Sequence, residues 1–201
     1  MTAEEFRREC DRLARPCQML CVKGAGKPVG VWGGLGAASP PGKWKHWVTV
    51  DCNWFEQNGF PLCGCLSVYE NRDDSRSELG FVAVVGKEPL PLGSDGLLLY
   101  GAEESSLPPL EALELFGSEE MKECVRSENE ASPLNQYNEK CPLHRKDIDV
   151  MLGGWHVPWP EDDAYDQREG RLVLWTFRDA EPWIEVWMTD AGQLNVVPRI
   201  T

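Results

Sequence analysis

The sequence predicts an α+β fold. A single domain over residues 1–201 is built on a largely antiparallel sheet, with an N-terminal helix, a central helical pair and a C-terminal three-stranded meander. Three observations predict it. Apolar residues alternate at period two around residue 50 and again beyond residue 170. They recur at helical spacing at the N-terminus and across residues 106–125. No regular strand–helix–strand succession, the mark of a parallel sheet, runs through the chain. A length of 201 residues suits one domain. With 42% hydrophobic and 26% charged residues the composition is that of a globular protein, which excludes a wholly disordered chain.

The first helix follows from Thr2-Ala3-Glu4-Glu5, which has the form of a capping box. Phe6, Cys10, Leu13 and Ala14 then make one apolar stripe, and Pro16 is expected to stop the helix. Val29 to Trp32 reads as a short strand. Trp47 to Trp54 alternates, with Val48, Val50, Cys52 and Trp54 on one face. Asn58-Gly59 suits the following hairpin loop, and Cys63 to Tyr69 is the return strand. After a polar turn at Asn71–Ser77, the run Gly80 to Gly86 has the continuous apolar character of a central strand buried on both faces. Gly96 to Tyr100 is a further short strand.

Ser106 is expected to cap a helix that carries Pro108 and Pro109 in its first turn. Leu110, Leu113 and Phe116 form its apolar face and Gly117 its end. Ser118 starts a shorter helix through Met121, Cys124 and Val125, and residues 127–142 read as polar loop. Leu172–Arg178, Trp183–Thr189 and Leu194–Val197 make the meander, with Gly192 in the left-handed position of its second turn.

Charge narrows the partners. The formal net charge is −13, but residues 1–50 hold eight Lys or Arg against four acids, a surplus of +4 that leaves −17 for the rest. Such a surface repels nucleic acid phosphates and anionic lipid, so neither nucleic acid nor membrane is an expected partner, whereas a basic protein partner is permitted beside the plainer reading that the charge serves solubility. The charged N-terminus lacks the apolar core of a secretory signal, and no stretch approaches eighteen apolar residues, so a cytoplasmic protein is expected. Its eight cysteines are then expected to be free and mostly buried.

Several groups bear on chemistry. Lys23-Gly24-Ala25-Gly26-Lys27 resembles a phosphate loop but lacks its Gly-Lys-Ser/Thr ending and the helix that must follow, so no nucleotide or other cofactor is expected. Cys63, Cys65, Cys141 and His144 are soft ligands of the kind tetrahedral zinc takes, although Cys63-Gly64-Cys65 has one intervening residue where two are usual. Buried free thiols are the preferred reading, leaving a zinc-stabilised domain as a second alternative. With only three histidines, Cys52 and His156 are the one arguable nucleophile and base, and they support an alternative reading as a hydrolase or transferase.

The segment 152–163, with two glycines, two tryptophans, two prolines and an acidic end, is a shaped loop. Trp155, His156, Trp159, Glu161, Asp162 and Asp163 combine apolar anchors with carboxylates, the chemistry of a site for a cationic partner. Trp183, Glu185 and Trp187 share one strand face and repeat that chemistry, unless the indoles are themselves core. The resulting expectation is a protein-binding, inhibitor-type module such as a bacterial immunity-type protein, with an acidic, tryptophan-containing recognition surface; enzymatic activity is not the favoured reading.

Overall fold

Helix α1 (Ala3–Leu13) begins as its sequence requires: Thr2 Oγ1 accepts from the Glu5 amide at 3.3 Å while Glu5 Oε2 accepts from the Thr2 amide at 2.6 Å. The computed structural model describes residues 1–37, 40, 42–71, 80–93, 95–126, 148–156, 170–177 and 182–199. Phe6 and Cys10 on the buried face of α1 pack against Leu113 of α3 (Leu110–Phe116) and Met121 of α4 (Glu119–Arg126). Glu9 ties the three together, accepting from the Ser118 amide at 2.9 Å and pairing with Arg12 at 2.7 Å. Ser106 does not cap α3. It ends a strand, and Pro109 occupies the cap position.

Pro16 does not stop α1 either. The helix ends at Leu13, and Pro16 lies inside β1 (Arg15–Cys21), a strand the sequence reading did not foresee. Pro16 stands opposite Ser105 of β6 (Leu97–Ser106). Leu20 O accepts from Asp149 N, so Leu20 turns its backbone away from β6. Alternation turns Pro16 the same way, and the missing N–H takes nothing from the β1–β6 ladder.

Among the described residues ten strands make one sheet in which every pairing is antiparallel. The others are β2 (Gly30–Trp32), β3 (Trp44–Asp51), β4 (Cys65–Asn71), β5 (Phe81–Gly86), β7 (Val150–Gly153), β8 (Arg171–Thr176), β9 (Trp183–Met188) and β10 (Leu194–Arg199). Their order is β10-β9-β8-β7-β1-β6-β2-β3-β4-β5, and the end strands β5 and β10 come into contact, so the sheet forms a nearly closed barrel. With four helices among the described residues the fold is broadly α+β, but the sheet dominates. The meander β8-β9-β10 stands as expected, with Gly192 at φ +76° in its turn.

Side chains fill the barrel. Leu20, Val48, Val50, Leu66, Val68, Leu99, Leu152, Leu174, Ile184 and Val186 are fully buried in one cluster; each such residue contributes roughly 1.5–3 kcal/mol through removal from water. One end is plugged by α2 (Asn53–Gln57), where a continuing strand was expected. Asp51 Oδ1 accepts from the Asn53 amide at 2.7 Å, a local turn that ends β3 and swings Trp54 and Phe55 inward. Trp54, Phe55 and Phe60 pack at centroid distances of 5.4 to 6.2 Å. The Trp54 ring also lies so close to Gly153, at φ +62°, that a Cβ there would meet it at 2.5 Å. Asn58-Gly59 thus ends a helix and makes no hairpin turn.

Phe81–Gly86 is the other revision. It stands at one end of the sheet and is largely half-buried, because an apolar run reports burial without reporting which strands flank it. The expected loops at 72–77 and 127–142 lie outside the described residues.

Candidate functional site

The ladder on one side of β6 stops early. β2 pairs only with Leu97–Leu99, whereas β1 pairs with β6 from Tyr100 to Ser106. Leu99 O accepts from Val29 N at 2.9 Å, so the Leu99 backbone faces β2. Alternation then turns the N–H and C=O groups of Gly101, Glu103 and Ser105 to that same side, beyond the end of β2. No strand among the described residues pairs there. Gly101, Ala102, Glu103 and Ser105 are all exposed.

A cleft of about 240 Å³ opens on the sheet face over β1 and β6, reaching Gly101 and Ala102 at this edge. Met19, Cys21, Tyr100, Ala102, Glu104 and Ile148 line it, and the Gly24–Ala25 loop closes one side. Met19 and Ile148 are buried, so the floor is apolar, while Tyr100 and Glu104 bring polar groups to its wall. An edge of backbone donors and acceptors next to a side-chain pocket is what an extended peptide segment requires.

The tryptophan–acid residues are arranged otherwise than expected. Ile184, Val186 and Met188 do face the barrel interior, yet the opposite face of β9 is also covered. Trp187 and Trp175 belong to a second cluster with Cys17, Met19, Met151 and Leu172, on the outer face of β1, β7, β8 and β9. Glu185 has no exposed surface, and Trp155, His156 and Trp187 are at most 6% exposed, which corrects the expectation that they face solvent. Trp183 is half-buried. Trp159, Glu161, Asp162 and Asp163 lie outside the described residues.

Glu185 is the centre of a buried network. Its Oε1 accepts from His156 Nε2 at 3.0 Å; its Oε2 accepts from Trp187 Nε1 at 3.0 Å and from Arg199 Nε at 3.3 Å. Burial alone would push this carboxyl up. The hydrogen bond and charge of His156, then the Arg199 charge and the Trp187 N–H, together outweigh burial and hold it below its ordinary value. The His156 ring packs on Trp175 and Trp187 at 5.3 and 5.0 Å. Trp155 works as a staple: its indole N–H donates to Leu13 O at 2.8 Å, Arg15 lies 3.4 Å over its ring, and Phe116 packs beside it. Helices and barrel meet at this indole.

A second polar chain crosses β3 and β4. His46 Nδ1 lies 2.7 Å from Gly33 O, which can only accept, so Nδ1 carries the proton. Burial lowers the His46 pKa and keeps the ring neutral. Nε2 then accepts from Thr49 Oγ1 at 2.7 Å, and Thr49 accepts from Ser67 Oγ at 2.7 Å. Thr49 stands between the imidazole and the serine, and both hydroxyls are fully buried. Cross-strand satisfaction of polar groups accounts for the chain.

Cys52 packs in the barrel interior with its thiol pushed up to about 12, chiefly by burial, whereas a nucleophilic cysteine needs the opposite shift. His156 packs in the outer cluster, bonded to Glu185, so Cys52 and His156 are not brought together. Cys63 is exposed and Cys65 buried, because the chain turns at Gly64, φ +84°, where a Cβ would strike Gly86 O. Cys141 and His144 lie outside the described residues. Among the described residues no group of three His, Cys, Asp or Glu side chains is placed to hold a metal, and seven cysteines are free thiols.

Sequence reasoning ended its strand at Tyr100 and missed Gly101–Ser105. Ala102-Glu103-Glu104-Ser105 has neither apolar alternation nor β-branched residues, since a strand open on one side needs no apolar flank there. No helix among the described residues is long and apolar enough to cross a membrane. No protein-family model matches the chain, and no curated protein is significantly similar to it.

Proposed function

We propose that the chain is a protein-binding module of inhibitor type that presents an acidic surface to a basic protein partner. The observation that carries this reading is the distribution of carboxylates. Residues 51–201 hold a formal −17, and Glu103 on β6, Glu114 on α3, and Glu120 and Glu123 on α4 are exposed. Exposed like charges at this density cost compactness through self-repulsion, a cost that a cationic partner relieves while its approach is accelerated. The tryptophans serve this reading as support. Trp155 and Trp187 hold the helices and the outer sheet face in place, leaving the carboxylates to make the recognition.

Selection from a displayed library of folded domains, acidic to basic, tests the reading. The domains retained on the immobilised protein should be enriched in basic ones, and their affinity should fall as salt is added, since exposed charge pairs are screened over about 10 Å at 0.1 M. Retained domains no more basic than the starting library, or binding indifferent to salt, would sink it.

A further inference from the structure

We infer that the partner is captured by strand addition: an extended basic segment pairs with β6 along Gly101–Ser105 and places one apolar side chain in the adjoining cleft. The inference rests on the acidic-module reading and states how that module binds.

Three features of one place lead to it. Gly101, Glu103 and Ser105 direct their backbone groups outward past the end of β2, where no described strand pairs, and the positions are exposed. Five residues of edge extend about 17 Å, room for a short strand. Directly opposed residues in a sheet share a face, so the side chains of an added strand sort into two rows. One row runs beside Glu103, whose exposed carboxylate favours Lys or Arg opposite it. The other row runs beside Ala102, which lines the cleft, and an apolar side chain there reaches over Ala102 toward Met19, its opposed residue on β1. Main-chain bonds supply affinity in such pairing and the alternate side chains supply specificity. The occupant is therefore a segment with a Lys or Arg opposite Glu103 and an apolar residue next to it, opposite Ala102.

The test uses the intact chain and a displayed library of random ten-residue peptides. Enriched peptides should share a Lys or Arg directly adjacent to an apolar residue within a β-forming run. Their binding should slow hydrogen exchange at the Gly101, Glu103 and Ser105 amides. Ser105→Pro removes an outward N–H and takes nothing from the β1 ladder, so it should weaken peptide binding at least tenfold, while Ser105→Ala leaves it within twofold. Basic peptides that bind Ser105→Pro as tightly as the unaltered chain, or that leave the three amides unprotected, would overturn strand addition and leave the acidic-module reading standing. Failure to enrich basic peptides at all would also overturn strand addition, while the folded-domain selection decides the acidic-module reading separately. If Ser105→Pro does not fold, the exchange measurement on the unaltered chain decides alone.

Discussion

At the scale of single residues, the sequence is legible where chemistry is local. Thr2 and Glu5 form their box because both partners lie within one turn. Gly192 takes its positive φ because the turn is three residues long. Partners distant in sequence are not legible: nothing near Tyr69 announces that its hydroxyl is buried without a hydrogen-bond partner, against the His46 ring and the Gly36 backbone. An unpaired buried hydroxyl costs about 1–3 kcal/mol, and deleting it recovers part of that. Tyr69→Phe is therefore expected to be neutral or to stabilise by up to ~1 kcal/mol, read as the urea midpoint. A loss above ~1 kcal/mol would mean that the hydroxyl is engaged.

Elements were legible when their pattern lay wholly within them. The faces of β9 alternate as read, but alternation does not say that both faces of that strand are covered, so an outer recognition row was expected where a second core lies. Strand β1 was hidden by Pro16 and β7 by Gly153 at its end, because rules for isolated strands penalise both. The Glu185 network that joins β9 and β10 to His156 carries a pH signature. Its carboxyl titrates below the ordinary value of 4.5, so as pH falls the unfolded chain takes up the proton first. The stabilisation is complete above about pH 4.5 and drains away below it, toward the lower folded-state value. Glu185→Gln should cost roughly 1–3 kcal/mol at neutral pH, and the gap to the unaltered chain should narrow as pH falls below that point. Urea midpoints of the two proteins that stay parallel into acid would contradict the assignment.

For the whole molecule, the α+β class and the antiparallel sheet could be read from order and period, whereas closure could not. Closure depends on β5 and β10 meeting, more than a hundred residues apart. Among the described residues neither has a second strand partner, so they touch without ladder hydrogen bonds. This seam is where the barrel should open first. Amides of β5 and β10 should exchange under native conditions well before those of β1, which is paired on both sides. Uniform protection across all three strands would argue for a closed ladder.

The position of β1 also sets an order of assembly. The third decade of the chain follows directly from a strand whose two neighbours begin only at Leu97 and Val150. During synthesis β1 leaves the ribosome with both edges bare and waits for most of the sequence to be made. Contacts so distant slow folding and prolong exposure of an apolar ribbon. Pro16 near its start and the charged helix ahead of it are then the features that keep nascent copies from pairing with one another.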